Sequence, residues 1–303
     1  MTRILVMGHK SPDADSVSSC IAMAEHAQMK PGAEVKYFIA EPLPQNLAWM
    51  TEYLHPQVEI IADVKRAIAW KPEKFIVVDC KPIEWRTGFP IEKYIEDSYN
   101  DYSFLEPVSI LNIDHHADRV NETYNYDVDI VLDPRASSTA EMISKRYSNN
   151  HILYAGMATD TGYFKYSYPS RAMETIVKLE VTDDEISKFR DNLEIKMDAK
   201  QLKTMFKSDI KYYTVAGKSL VIIQIPSTDE KILISFFNMI RGFDFAAIIQ
   251  KNGNTSLRTR SNLDLAQIAK KFKGGGHPQA SGCVVNNVDK FVKEYMKFIR
   301  GGM

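Results

Sequence analysis

Short apolar, β-branched runs alternate with helix-patterned stretches through the first half of the chain, and several runs stop at an acid or a histidine. The strand candidates are RILVMG (3–8), EVKYFIA (34–40), KFIVVDC (74–80), VSILNIDHH (108–116) and DIVLD (129–133). Helical stretches lie between them, among them 16–29 and 138–148; the second opens on SSTAEM, an N-cap with an acid in its first turn. This alternation predicts an α/β fold, a mostly parallel sheet flanked by helices on both faces. Ligands in such sheets collect at the carboxyl ends of the strands. The acids and histidines therefore stand where a site is expected.

Beyond residue 182 the pattern restarts. Residues 183–206 are polar, helical and free of Gly and Pro, which suits a connecting helix. A second αβ unit follows, with strands at 219–225, 245–251 and 255–260, helices at 230–241 and 263–272, and a glycine-rich turn, KGGGHPQASG, at 273–282. The expected organisation is a larger domain over 1–185, a connecting helix over 186–206, and a second, smaller α/β domain over 207–303. Segment 82–107, rich in aromatics and acids, is long for a βα connection and reads as an extra helix or a lid. VAGKS (215–219) ends like a P-loop, but Tyr212 holds the upstream glycine position, so a hairpin turn is expected there. No G-x-G-x-x-G follows a first strand, which argues against a dinucleotide cofactor.

Composition narrows the partners. A formal net charge of −1 over 303 residues supplies no field to hold a long polyanion, so a nucleic-acid ligand should be short or gripped locally. Cys20, Cys80 and Cys283 lie far apart, which fits a reducing cytosol and excludes a disulfide scaffold or a thiolate zinc site. No stretch approaches the roughly 20 apolar residues of a membrane span. A cytoplasmic protein without membrane contact is expected, and the sequence leaves a homodimer open.

Four clusters carry the chemistry: His9, Asp13 and Asp15 in GHKSPDADS; Asp79 ending FIVVD; Asp114, His115 and His116 ending ILNI; and Asp160 in GMATDTGYF. Asp13 and Asp15 are close enough to repel unless a cation, a helix N-terminus or solvent compensates them. If the strands are neighbours, their carboxyl ends bring all four clusters together. Carboxylates mixed with imidazoles suit Mn²⁺, Mg²⁺, Fe²⁺, Co²⁺ or Zn²⁺. A pair of divalent ions needs a shared carboxylate, and Asp79, alone at its strand end, is the natural bridge. Such a pair neutralises a phosphate during in-line attack. In the second half, the glycines at 274–276 let backbone amides approach an anion and His277 adds a donor.

His-x₃-Asp-x-Asp, then a strand-terminal Asp, then Asp-His-His, then Asp-Thr-Gly resembles the DHH phosphoesterase family. The resemblance implies two divalent metals, usually Mn²⁺, with Mg²⁺ or Co²⁺ as substitutes, between a catalytic domain and a smaller C-terminal one. It implies His9 and Asp13 on the first metal, Asp15, His115 and Asp160 on the second, and Asp79 bridging. Asp114 would orient a ligand or polarise the site, and His116 would meet the phosphate or protonate the leaving oxygen. SSTA (137–140) also matches a segment of the family. SLRTR followed by GGGHPQASG is similar to the family's substrate-binding domain, implying that Arg258, with Arg260, and the Gly275-Gly276-His277 turn grip a terminal phosphate or sugar. Two departures are Ala280-Ser281-Gly282, where family turns more often read Ala-Ala-Gly, and the length of 82–107.

The expected function is a metal-dependent phosphoesterase, cutting short oligonucleotides, pAp or linear and cyclic dinucleotides to mononucleotides. A manganese-dependent inorganic pyrophosphatase is the alternative within the family, because GHKSPDADS lies close to that branch's first motif. A catalytically silent nucleotide-binding module is the alternative of another class.

Overall fold

A computed structural model describes the chain except for residues 102–106, 118–122, 165–168, 194–198, 229–236, 238–242, 260 and 302–303. It divides into two compact units, Met1–Glu194 and Ile195–Met303.

In the first unit the elements run β1 (Thr2–Met7), α1 (Ala14–Gln28), β2 (Ala33–Phe38), a 3₁₀ turn (Ala48–Tyr53), β3 (Glu59–Ile61), α2 (Val64–Ala69) and β4 (Lys74–Val78). Then come α3 (Glu84–Thr87), α4 (Ile91–Ser98), β5 (Ser109–Asp114), β6 (Val128–Leu132), α5 (Thr139–Arg146), α6 (Leu153–Asp160), α7 (Pro169–Leu179) and α8 (Asp183–Leu193). The strands form one parallel sheet in the order β3-β2-β1-β4-β5-β6. The continuous apolar run Ile4-Leu5-Val6-Met7 follows from burial on both faces. Ile4 and Val6 pack towards α1 and α5, whereas Leu5 and Met7 pack with Phe75, Val77 and Phe89 on the other side. Strand order reverses between β1 and β4, which opens a crevice at their carboxyl ends.

The five expected strands are present within a residue or two of their predicted bounds. β3 escaped notice because three residues are too few to show a period. Segment 82–107 carries two short helices, α3 and α4, and the rest of the lid expectation falls partly on 102–106, outside the described residues.

The second unit runs α9 (Ala199–Met205), β7 (Asp209–Val215), β8 (Lys218–Gln224), β9 (Phe245–Ile249), β10 (Asn254–Thr259), α10 (Leu265–Lys271), β11 (Gly275–Gly276), β12 (Ala280–Val284) and α11 (Val288–Gly301). Its sheet, in the order β11-β12-β10-β9-β8-β7, is mixed: only β8 and β9 pair in parallel among the described strands. Leu220, Ile222, Phe245 and Leu257 pack with Phe291 and Tyr295 of α11 on one face. VAGKS is the β7–β8 hairpin turn, with Ala216 and Gly217 both at positive φ, as a tight two-residue hairpin requires. The helix expected over 230–241 lies almost wholly outside the described residues. No helix among the described residues is long and apolar enough to cross a membrane.

Candidate active site

β1 ends at Met7, and the chain turns through Gly8 and His9 into α1. Asp13 caps that helix, its carboxylate accepting the Ser16 amide at 3.0 Å. A carboxylate has lone pairs enough to cap a helix and face a cation at once. Asp15 sits two residues further on and is fully buried. Its two oxygens accept the amides of Thr139 and Ala140, each at 2.8 Å. Those amides open α5, so the positive end of a helix faces a buried carboxylate. Ser138 caps α5 by accepting the Glu141 amide at 3.0 Å.

Asp79 follows β4 directly, buried and with φ +60. This left-handed conformation is one that Asp tolerates better than most residues. Its amide donates to the Ile113 carbonyl at 2.9 Å, which ties the turn to the neighbouring strand β5. Thr139 Oγ1 donates to Asp79 Oδ1 at 3.0 Å. Asp114, buried, ends β5 and receives both the amide of His116 (3.0 Å) and its ring Nδ1 (2.7 Å).

Among the described residues of the first unit, three groups of ligand atoms result, the atoms of each lying within 4.8 Å of one another: His9, Asp13 and Asp79; Asp15, His115 and Asp160; and Asp79, Asp114 and His116. Asp79 looks both ways. Its Oδ2 is 3.6 Å from His9 Nε2, while its Oδ1 is 3.7 Å from His115 Nε2 and 3.9 Å from His116 Nδ1. His9 Nε2 is 3.8 Å from Asp13 Oδ1. His115 Nε2 is 3.2 Å from Asp160 Oδ2 and 3.8 Å from Asp15 Oδ2.

One expectation is corrected here. Asp160 is the last residue of helix α6 and does not end a strand. In the run LYAGMATD, the small residues Ala155, Gly156 and Ala158 let α6 lie close against α1 and α5. A Cβ on Gly156 would stand 2.7 Å from Asp15 Oδ1 and 2.6 Å from Ser18 Oγ. Only glycine lets α6 carry Asp160 to this place with Asp15 undisturbed.

The electrostatics show a site short of positive charge. Burial works against a charged His9, yet Asp13 and Asp79 override it and push the imidazole up to about 10. His115 is likewise disfavoured as a cation by burial, and Asp160, Asp15 and Asp79 push it up to about 10. Burial, then the charges of Asp79 and Asp160, hold the Asp15 carboxyl well above the usual carboxylate range. Burial also raises Asp160, although His115 pulls the other way. Each of these shifts has the same cause, negative charge crowded into a buried space, which a cation would relieve. Carboxylate oxygens and imidazole nitrogens without thiolates are the donors that Mn²⁺ and related divalent ions accept, so the residues present fit such ions.

In the sequence SSTA has the role of a helix cap; the structure adds a hold on two carboxylates of the cluster. Thr139 and Ala140 hold Asp15, and Thr139 also holds Asp79. A second support stands behind them: the buried Glu141 accepts from the Ser137 amide (2.7 Å), Lys145 Nζ (2.5 Å) and Arg171 Nε (2.9 Å), and Arg171 also reaches Asp133 at 3.0 Å. The available signal was the Ser-x-x-Glu spacing of a capping box.

In the second unit, Arg258 lies on β10 in register with Ala280, and Gly276 pairs with Ser281. The strand arginine and the turn therefore share one end of that sheet. Gly276 has φ +127, and a Cβ there would stand 2.8 Å from the Ala280 carbonyl oxygen. His277 and Ala280 close the turn through paired backbone hydrogen bonds of 2.8 and 3.2 Å. The Arg258 guanidinium lies 5.1 Å from the Phe237 ring centroid. Arg260 lies outside the described residues.

The sequence pattern of the DHH family, N-terminal domain, matches residues 3–165, and that of the DHHA1 domain matches 198–301. The chain belongs to the DHH family. As a DHH protein it is an enzyme, a hydrolase of phosphodiester or phosphate bonds. The probable bifunctional oligoribonuclease and PAP phosphatase NrnA of Streptococcus mutans is 24% identical to it, the match covering 92% of this chain and 88% of that protein. The bifunctional oligoribonuclease and PAP phosphatase NrnA of Thermus thermophilus is 20% identical, over 94% of this chain and 85% of its own length. The crystal structure of an exopolyphosphatase-related protein from Bacteroides fragilis superposes with a TM-score of 0.66 at 19% identity, covering 99% of this chain and 92% of that one. That likeness is one of fold and covers both units.

Proposed function

We propose that this DHH protein is a cytoplasmic, divalent-metal-dependent phosphoesterase that cuts short oligoribonucleotides and pAp to mononucleotides, with Mn²⁺ the preferred metal. The observation that carries the metal part is Asp79, whose two oxygens face separate sets of donors. His9 and Asp13 would hold one ion, Asp15, His115 and Asp160 a second, and Asp79 would be shared. Two such ions, when bound, supply Lewis-acid charge that neutralises the phosphate under in-line attack.

The remaining work falls to the side chains. His116 is partly exposed while its partner Asp114 is buried. The Asp114 carboxylate fixes the His116 tautomer with the proton on Nδ1 when the ring is neutral. As an imidazolium the ring also carries a proton on Nε2, for delivery to the leaving oxygen. The amides of Thr139 and Ala140 keep Asp15 aimed without side-chain motion. Arg258, Arg260 and the Gly275-Gly276-His277 turn would take the substrate's terminal phosphate or sugar. The proposed division of labour is catalysis in 1–185 and substrate binding in 207–303, joined through 186–206.

The substrate class rests on the names borne by the relatives from Streptococcus mutans and Thermus thermophilus, together with a net charge too small to hold a long polyanion. The test is a Mn²⁺-supplemented panel of pAp, pApA, short RNA, short DNA, cyclic dinucleotides and pyrophosphate. AMP from pAp and pApA, lost on chelation, is the expected result. Pyrophosphate cleaved far faster than pAp or pApA would overturn the substrate class. Tight nucleotide binding without turnover of any substrate would reduce the chain to a binding module.

A further inference from the structure

The chain has three tryptophans, and two of them serve the fold. Trp49 stacks on Phe189 with ring centroids 5.5 Å apart, and Trp70 donates its indole N–H to Glu34 at 3.2 Å. Trp85 differs, the residue being 68% exposed. It lies on α3, six residues beyond Asp79, in the segment whose length the fold alone does not require. Two cations attend the ring: Lys10 Nζ lies 5.8 Å and the Arg86 guanidinium 5.5 Å from its centroid.

The mounting is firm. The Lys10 amide donates to the Arg86 carbonyl at 2.8 Å, tying α3 to the loop that carries His9. The Tyr126 hydroxyl donates to the Pro82 carbonyl at 2.5 Å, and the Glu84 amide to Glu92 Oε2 at 3.0 Å. Thr87, at the end of the helix, is buried. An exposed indole is thus held on rigid backbone beside the loop that supplies His9 and Asp13.

We infer that Trp85, with Lys10 and Arg86, forms a stacking platform for a nucleobase of the substrate, next to the metal cluster. The inference rests on the proposed nucleotide phosphoesterase activity and adds the residue that reads the base. An exposed aromatic face stacks any base, and adjacent cations serve the phosphates and sugar that accompany it. Two flanking charges oppose the docking of an apolar protein surface on the same ring. Rigid mounting keeps the ordering cost of stacking low.

The experiment compares pAp with ribose 3,5-bisphosphate, which carries the same phosphates without the base. In wild type, kcat/KM should favour pAp, and Trp85→Ala should shrink that preference about tenfold, the size of one stacked base. The change should lie in KM, and Trp85→Phe should recover part of it. An undiminished preference for pAp in Trp85→Ala overturns the platform. Indole emission provides a readout independent of turnover. AMP should quench the wild type, ribose 5-phosphate should not, and Trp85→Phe should lose the quench. If the protein cleaves none of the nucleotides yet shows this quench, the platform stands and the catalytic proposal falls. A wild type that AMP does not quench overturns the platform whatever the activity.

Discussion

Asp79 combines three properties that rarely meet in one side chain: burial, a left-handed backbone, and oxygens facing two histidine-carboxylate groups. Asp79→Ala should therefore lower both metal content and turnover. Loss of a partner that merely orients a ligand costs roughly 10–100-fold, and loss of a shared ligand should exceed that, as ICP-MS and pAp hydrolysis would show. His9 and His115 give a pH prediction. Each is raised from the ordinary 6.5 to about 10. A raised folded-state pKa contributes stability that is complete below pH 6.5 and lost as pH climbs towards 10. Metal-free protein should accordingly melt at lower temperature at pH 9 than at pH 6.5. Because metals take neutral imidazoles and ionised carboxylates, Mn²⁺ uptake at pH 7.5 should expel protons. Calorimetry in buffers of different ionisation enthalpy measures that release, and heats independent of the buffer would contradict it.

At the scale of elements, the sheet and most residues of the candidate cluster were legible because a parallel strand announces itself twice, by its apolar run and by the polar residue that ends it. Asp79 and Asp114-His115-His116 could be placed together once β4 and β5 were taken as neighbours. Asp160 was legible as a candidate but not as the end of a helix, since a short apolar run rich in small residues has no decisive period. The amide clamp on Asp15 was invisible because it joins residues more than 120 positions apart through backbone atoms that have no sequence signature. Gly156 states the dependence of the site on helix packing. Gly156→Ala would force a methyl group between α6, α1 and α5, costing about 1–3 kcal/mol. Thermal melts should show that loss, and Mn²⁺ affinity should fall with it as Asp15 is displaced.

The whole chain places a histidine-carboxylate cluster in one unit and an arginine with a glycine-histidine turn in the other. In the proposed function the first takes the metals and the reacting phosphate, and the second takes a terminal phosphate. Arg258→Ala should then act chiefly on KM, about tenfold or more, for substrates bearing a terminal phosphate, with a smaller effect on kcat. Equal losses on a diester lacking that phosphate would contradict a grip remote from the chemistry. The central claim, that the first unit holds a pair of metals sharing Asp79, is tested most directly by titrating metal-free protein with Mn²⁺ while recording bound metal, electron paramagnetic resonance and pAp hydrolysis. Two Mn²⁺ per chain, a spin-coupled signal, and hydrolysis rising with the second ion are predicted. Full hydrolysis at one uncoupled ion per chain, or with none, would contradict it.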